Sequence, residues 1–345
     1  MKIFYKMIKC RDAGDRFIVS REAQGLTVKS LLAYRERLDP FFAFLGHPTL
    51  SSIGPAEVDS YLVHLQRRKT KYVNNPYRPT EKGGLSPATI EGVKVTMRTF
   101  FTWCVERGLI DKSPCAHLRI KRFSRFARVR AMHPETLKQM LAYAQLAARA
   151  RNPIDIRDLA LLAFTADSLA RVGEVSALNL SDVDFNKSFG NGSLTYEALV
   201  DGKVGPRLVT FSEKTALYML DWLDVRPPVD TDAFFVAICR HHFREQHPRC
   251  TACRVFGQRL TTSAIAQAFK RMAKRAGVEG KVNPHAIRHL GGIVYAERAG
   301  IEIAQEKLGH TSIMTTRMHY VPHNRDLVRR ATSRLSPVSE EENPR

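Results

Sequence analysis

The chain has 345 residues, more than one hydrophobic core usually supports, so two domains are expected. With 44% hydrophobic and 26% charged residues it can bury real cores, which excludes a disordered chain. Lys and Arg total 54 against 34 Asp and Glu, and the resulting charge of +20 asks for a polyanion such as nucleic acid.

In chain order, residues 27–45 place Leu31, Tyr34, Leu38, Phe41, Phe42 and Leu45 on one helical face, and Pro40 predicts a kink or break near Asp39. A second helix follows Gly54 and Pro55 with Val58, Tyr61, Leu62 and Leu65 together. Residues 72–84 hold Pro76, Pro79, Gly83 and Gly84 and read as a loop. Ser86 and Pro87 then open a helix whose apolar face is Ile90, Val93, Met97, Phe100, Phe101 and Cys104. The first third, residues 15–118, is a helical bundle.

Residues 119–132 form the expected boundary. The string RIKRFSRFARVR carries Arg119, Lys121, Arg122, Arg125, Arg128 and Arg130. A solvated basic linker is the plain reading; in a chain this basic, a strand that follows a DNA backbone between two domains is the stronger one.

Residues 133–335 make the second part. Helical patterns cover 133–145 and 155–168, and a hairpin is expected from 194–200 and 206–211 around the turn signal Asp201-Gly202. A helix over 213–223, a short apolar run at 234–238 and a helix over 262–276 follow. Residues 336–345 are an acidic tail with the look of a frayed end. The fold class is mainly α with a small antiparallel β-sheet.

The chemistry concentrates late in the chain, in NPHAIRHLGG (283–292) and EKLGHTSIMTTRMHY (306–320). On a helix starting near Pro284, His285 and Arg288 lie three apart and share a face. Arginine suits phosphate because its planar fork donates two charge-assisted hydrogen bonds to one group. A second arginine is available in LARVGEVSALNL, where Arg171 precedes Glu174 by three residues, so the carboxylate can orient it.

Each piece occurs by chance, and a lone tyrosine or turn lysine is usually an ordinary surface or packing residue. Their order is more specific. An ARxGE string, a hairpin lysine, HxxRH, LGH and a late tyrosine behind a helical bundle resemble the tyrosine recombinase, or phage-type integrase, family over roughly residues 15–325. The resemblance implies a two-domain architecture: a helical SAM-like core-binding domain and an integrase-type catalytic domain.

It further implies a site-specific recombinase that cleaves and rejoins duplex DNA, serving a mobile element or DNA integration and excision, as a homodimer on each site and a homotetramer in the synapse. Tyr320 would attack a phosphodiester to give a 3′-phosphotyrosine. Arg171, Arg288 and His310 would stabilise the charged transition state, Lys203 would protonate the leaving 5′ oxygen, and His285 would assist as a base. Glu174 and His289 would support the site. No cofactor is required by this chemistry. General chemistry points the same way, since a phenol with a pKa near 10 is a poor nucleophile at neutral pH without cations and a base around it.

Two other readings use the same residues: a type IB topoisomerase-like enzyme, and a catalytically inactive or regulatory site-specific DNA-binding protein. Leu169 departs from the family's usual glycine two positions before the first arginine, and Gly291 and Gly292 fall inside the helix after HxxRH, each costing about 1 kcal/mol relative to alanine.

One segment lies outside the family pattern. CRHHFREQHPRCTAC holds Cys250 and Cys253 as a CxxC half-site, and Cys239, His241, His242 and His247 compete for the other half. A structural zinc on Cys239, His247, Cys250 and Cys253 stands against a plain basic loop. No apolar stretch has the length of a secretory core or a membrane span, and the cysteines form no secreted framework, so a cytoplasmic protein with reduced thiols is expected.

Overall fold

The computed structural model describes residues 8–71, 73, 79–121, 132–185, 194–202, 205–239, 255–280 and 282–310. The chain divides into two compact units, Met1–Ser124 and Arg125–Arg345. Mainly helical with a small antiparallel sheet, it has the fold class expected from its sequence. Among the described residues, no helix is long and apolar enough to cross a membrane.

The first unit is built on α1 (Cys10–Glu22), α2 (Val28–Phe44), α3 (Pro55–Arg67) and α4 (Pro87–Glu106). Its helix starts are chemically marked. The Thr27 and Ser86 hydroxyls accept from backbone N–H groups three residues on, Glu57 reaches back to the Gly54 N–H, and Pro55 and Pro87 occupy first-turn positions where no N–H is needed. The predicted apolar faces turn inward: Val58, Tyr61, Leu62 and Leu65 from α3, and Ile90, Val93, Met97, Phe100, Phe101 and Cys104 from α4, are all buried. Aromatic rings fill the centre edge to face, as with Phe17 and Phe100 at 5.5 Å and 82°.

Three local features depart from the predicted elements. Helix α2 runs through Pro40 without a break. The missing hydrogen bond and ring clash cost about 3 kcal/mol, but Phe41 and Phe42, both fully buried just beyond it, contribute about 1.5–3 kcal/mol each by staying in the core. Helix α1, with Cys10, Ala13 and Phe17 buried, is not among the predicted helices and starts five residues ahead of position 15. The expected loop holds a short strand, β2 (Glu81–Lys82), which pairs antiparallel with β1 (Thr70–Lys71) just before it. The unit's exit is pinned, because the Lys121 N–H donates to the buried Glu91 carboxylate at 2.9 Å. Arg119 and Lys121 are exposed, while Arg122, Arg125, Arg128 and Arg130 lie outside the described residues.

The second unit surrounds α6 (Pro153–Ser168), whose residues Leu159 to Phe164 are buried on every side. Packed around this axis are α5 (Pro134–Ala148), α8 (Glu213–Val225), α9 (Thr262–Arg275) and α10 (Pro284–Ala299). The short α7 (Val172–Ala177) and α11 (Ile301–Leu308) carry residues of the site below. A sheet of β3 (Val183–Asp184), β4 (Thr195–Gly202) and β5 (Gly205–Ser212) covers one side, in the order β3-β4-β5. The apolar run at 234–238 is buried chain with an isolated bridge from Val236 to Arg259.

The hairpin differs from expectation in register. Its strands pair from Thr195↔Ser212 to Gly202↔Gly205, so Asp201 and Gly202 belong to the ladder. Burial decides this. The observed register sets Ala198 opposite Val209 and Tyr196 opposite Phe211, whereas a two-residue turn at Asp201-Gly202 would set Tyr196 against Arg207 and break up both apolar pairs. Lys203, beyond Gly202, lies outside the described residues.

Leu169 follows α6 with φ 53°, a left-handed conformation that costs a side-chain-bearing residue about 1–2 kcal/mol. Its side chain is fully buried and fills the notch at Gly291, where a Cβ would fall on the leucine Cδ2. The glycine in α10 therefore makes room for the leucine after α6. Gly291→Ala should destabilise the chain by about 1–3 kcal/mol despite alanine's better helix propensity. In a denaturant-unfolding cycle, Leu169→Gly and Gly291→Ala together should cost less than the sum of the two alone, by about 1 kcal/mol or more. Strict additivity would show that the leucine does not occupy the notch.

Candidate active site

Arg171 is the N-cap residue of α7, and its position is set by Glu174 three residues on. The Arg171 N–H donates to Glu174 Oε2 at 2.8 Å and its Nη1 donates to Oε1 at 2.7 Å. Glu174 is buried, and Oε2 also accepts from Nη2 of Arg207, a β5 residue, at 2.9 Å. Burial pushes the Glu174 carboxyl up, but the Arg171 N–H and the two guanidiniums outweigh it and hold the group below the ordinary 4.5.

Helix α10 starts at Asn283, whose side chain accepts from the Ala286 N–H at 2.9 Å. That start places His285 in the first turn, exposed, and Arg288 one turn on, buried. Arg288 Nη1 donates to the Leu169 carbonyl and Nη2 to the Leu308 carbonyl. His289 is buried beside it in the chain.

The LGH string closes α11. Gly309 is left-handed, its N–H donates to the Glu306 carbonyl at 2.9 Å, and the His310 N–H donates to the Gln305 carbonyl at 3.1 Å. This αL-capped double closure satisfies two of the helix's orphan carbonyls and fixes His310, which is half-buried. The next three carbonyls each accept from a different arginine: Lys307 from Arg207 at 3.4 Å, Leu308 from Arg288, and Gly309 from Arg171 at 3.3 Å. Gly309 is also spatially required, since a Cβ there would lie 2.6 Å from Arg207 Cδ and Nε. Lys307 Nζ donates to the Thr210 carbonyl and hydroxyl at 2.7 and 2.9 Å, and burial pushes its pKa down.

Arg171, Glu174, Arg288 and His310 are thus brought to one place by α7, α10 and α11. Of the two arginines, Arg171 keeps a side chain 38% exposed, while Arg288 is 3% exposed with its terminal nitrogens on the main chain. Such a cluster can bind and stabilise an anion: it concentrates positive charge in a partly desolvated setting, with donors aimed by the backbone. Tyr320 and Lys203 lie outside the described residues. Of the zinc candidates, Cys239 is buried, and His247, Cys250 and Cys253 lie outside the described residues. Sequence reading missed Arg207. Its signal was present, because it falls in the same alternation as the buried Val209 and Phe211, a basic residue on a core-facing strand position.

A depressed Glu174 pKa means that its contribution to stability is complete above the ordinary carboxylate range and is lost as pH falls through the lowered value. Glu174→Gln should therefore lower the unfolding midpoint most near neutral pH, with the gap to wild type closing below about pH 4. A gap of constant size from about pH 7 to about pH 3 would count against the pairing.

The phage integrase family model matches residues 130–326. The tyrosine recombinase XerC of Proteus mirabilis is 23% identical over 306 residues, covering 86% of this chain and 90% of the relative. Among solved structures, the Tn1549 transposon integrase in complex with transposon right end DNA aligns with a TM-score of 0.67 at 16% identity, covering 95% of this chain and 99% of that one. A lambda integrase tetramer bound to a Holliday junction aligns at 0.60 and 14% identity, covering 90% and 77%. The fold is shared with both. Because the family model spans more than half of the sequence, including Arg171, Arg288 and His310 where the arginines meet the α11 turn, the chain belongs to the phage integrase family of tyrosine recombinases.

Proposed function

We propose that the chain is a site-specific DNA recombinase that cleaves and rejoins DNA through a 3′-phosphotyrosine and exchanges strands for a mobile element. The reading rests above all on one observation: Arg171, aimed by the buried Glu174, and Arg288 are drawn together at the turn that carries His310. Membership in the family and the +20 charge support the same conclusion.

In this reading the Tyr320 phenol oxygen attacks the scissile phosphorus while the bond to the 5′ oxygen breaks. The phenolic proton passes to His285, and Lys203 supplies a proton to the departing 5′ oxygen. The phosphodiester energy is kept in the phosphotyrosine, so a second 5′ hydroxyl can reverse the step on a new strand without ATP. Arg171, with its exposed edge, donates to a nonbridging oxygen. Arg288 contributes positive charge from a buried position, and His310 adds a hydrogen bond. Glu174 and His289 support these groups, and Arg119, Lys121, Arg122, Arg125, Arg128 and Arg130 follow the DNA backbone.

The tetramer on a Holliday junction formed by the lambda integrase relative supports assembly of two chains per site and four in the synapse. No cofactor enters the reaction. A structural zinc on Cys239, His247, Cys250 and Cys253 is a separate proposal.

Nicked suicide substrates made from DNA flanking the gene, incubated in EDTA and resolved on denaturing gels, test the chemistry. The expected result is a covalent protein–DNA adduct that disappears in Tyr320→Phe, followed by strand exchange on intact sites. Tight binding with no adduct favours the inactive DNA-binding protein, and supercoil relaxation without exchange favours the topoisomerase-like enzyme. For the zinc, elemental analysis should find stoichiometric metal in the purified chain and none after Cys250→Ser with Cys253→Ser; metal-free wild type refutes the site.

A further inference from the structure

We propose that Arg207 is a positioning residue for strand cleavage, holding Glu174, and through it Arg171, in register with the turn that carries His310. The inference rests on the recombinase reading above and assigns a task to a residue that reading leaves unused.

Arg207 stands on β5 between Glu174 and the end of α11, which are otherwise joined through Arg171 and its 3.3 Å contact to the Gly309 carbonyl. One terminal nitrogen donates to Glu174 Oε2 at 2.9 Å, and the other to the Lys307 carbonyl at 3.4 Å. Glu174 is the residue that aims Arg171, by hydrogen bonds to both its N–H and its guanidinium. The Lys307 carbonyl lies three residues before His310 on the closing turn of α11. A single planar fork therefore spans the two halves of the site. A lysine could not reproduce this, because an ammonium is a point donor without a fixed fork.

The surroundings are shaped for the guanidinium. Arg207 is 17% exposed, its Nε is buried with no hydrogen-bond partner among the described residues, and Gly309 has no Cβ where one would collide with it. A second link, Lys307 Nζ to Thr210, ties the same helix end to the same strand three residues along. The hairpin that leads to Lys203 is thus fastened to the anion-binding cluster through Arg207. Removing the fork frees the Glu174 carboxylate on one side and loosens the α11 end, leaving the long 3.3 Å contact from Arg171 to the Gly309 carbonyl to hold Arg171 and His310 in register. The chemical step is sensitive to such displacement, whereas binding of a long duplex through many phosphates is not.

The test compares wild type, Arg207→Ala, Arg207→Lys, Glu174→Gln and Arg207→Ala/Glu174→Gln. It measures single-turnover adduct formation on a nicked suicide substrate and affinity for the same duplex. Arg207→Ala should slow adduct formation on the order of 100-fold with duplex affinity unchanged. Arg207→Lys should recover little of the rate, and the double variant should be no slower than the slower single. A substrate with sulfur in place of the 5′ bridging oxygen, whose leaving group needs no proton donor, should leave the Arg207→Ala defect in place.

Wild-type rates in the Arg207 variants overturn the inference alone. So does a rate loss that merely follows lost affinity, or full rescue by sulfur, which would place the fault at proton donation. If Arg207→Ala fails to fold, Arg207→Lys decides, since a wild-type rate there removes the need for a fork. Absence of any adduct from wild type overturns the recombinase reading and this inference with it.

Discussion

Unfinished hydrogen bonding at the carbonyl end of α11 organises the site. Any helix leaves its last carbonyls without internal partners, and an eight-residue helix has few turns with which to hold its end. Here the left-handed Gly309 turns two backbone N–H groups onto Gln305 and Glu306, and guanidiniums from β5, α10 and the approach to α7 take Lys307, Leu308 and Gly309. The negative end of the helix dipole favours these cations. Three arginines so close would repel one another, and the buried Glu174, which accepts from two of them, offsets that repulsion. The geometry of the arginine cluster is therefore a by-product of completing one helix.

Much of this was legible in the sequence, for reasons that differ by residue. Arg171 and Glu174 could be paired because a spacing of three is the reach of a side chain back to a helix start, and Asn283 with Pro284 marked the start of α10. The apolar faces of α3 and α4 were equally plain, since both repeat at helical spacing and are bounded by capping residues. What escaped notice depended on long-range partners. Nothing near Arg207 in the chain announces Glu174, thirty-three residues earlier, or Lys307, one hundred later.

The local errors share a cause. Asp-Gly is a strong turn signal, yet the hairpin continues past it because Val209 and Phe211 need Ala198 and Tyr196 opposite them. Pro40 is a strong break signal, yet α2 continues because the next two phenylalanines belong in the core. Helix α1 shows so little apolar periodicity that only Cys10, Ala13, Phe17 and their neighbours on the inner side reveal it. In each case tertiary burial outweighed a local preference worth a few kcal/mol at most.

The exchange of bulk between Leu169 and Gly291 has a bearing on gene shuffling. The two positions are 122 residues apart in sequence, yet one side chain occupies the space the other leaves vacant. A hybrid that joins the Arg171 segment of this chain to the HxxRH helix of a relative bearing a β-carbon at position 291 inherits a collision. The reciprocal hybrid inherits a void. Viable crossover points for grafting between relatives therefore lie outside the interval from 169 to 291, or else both positions must travel together.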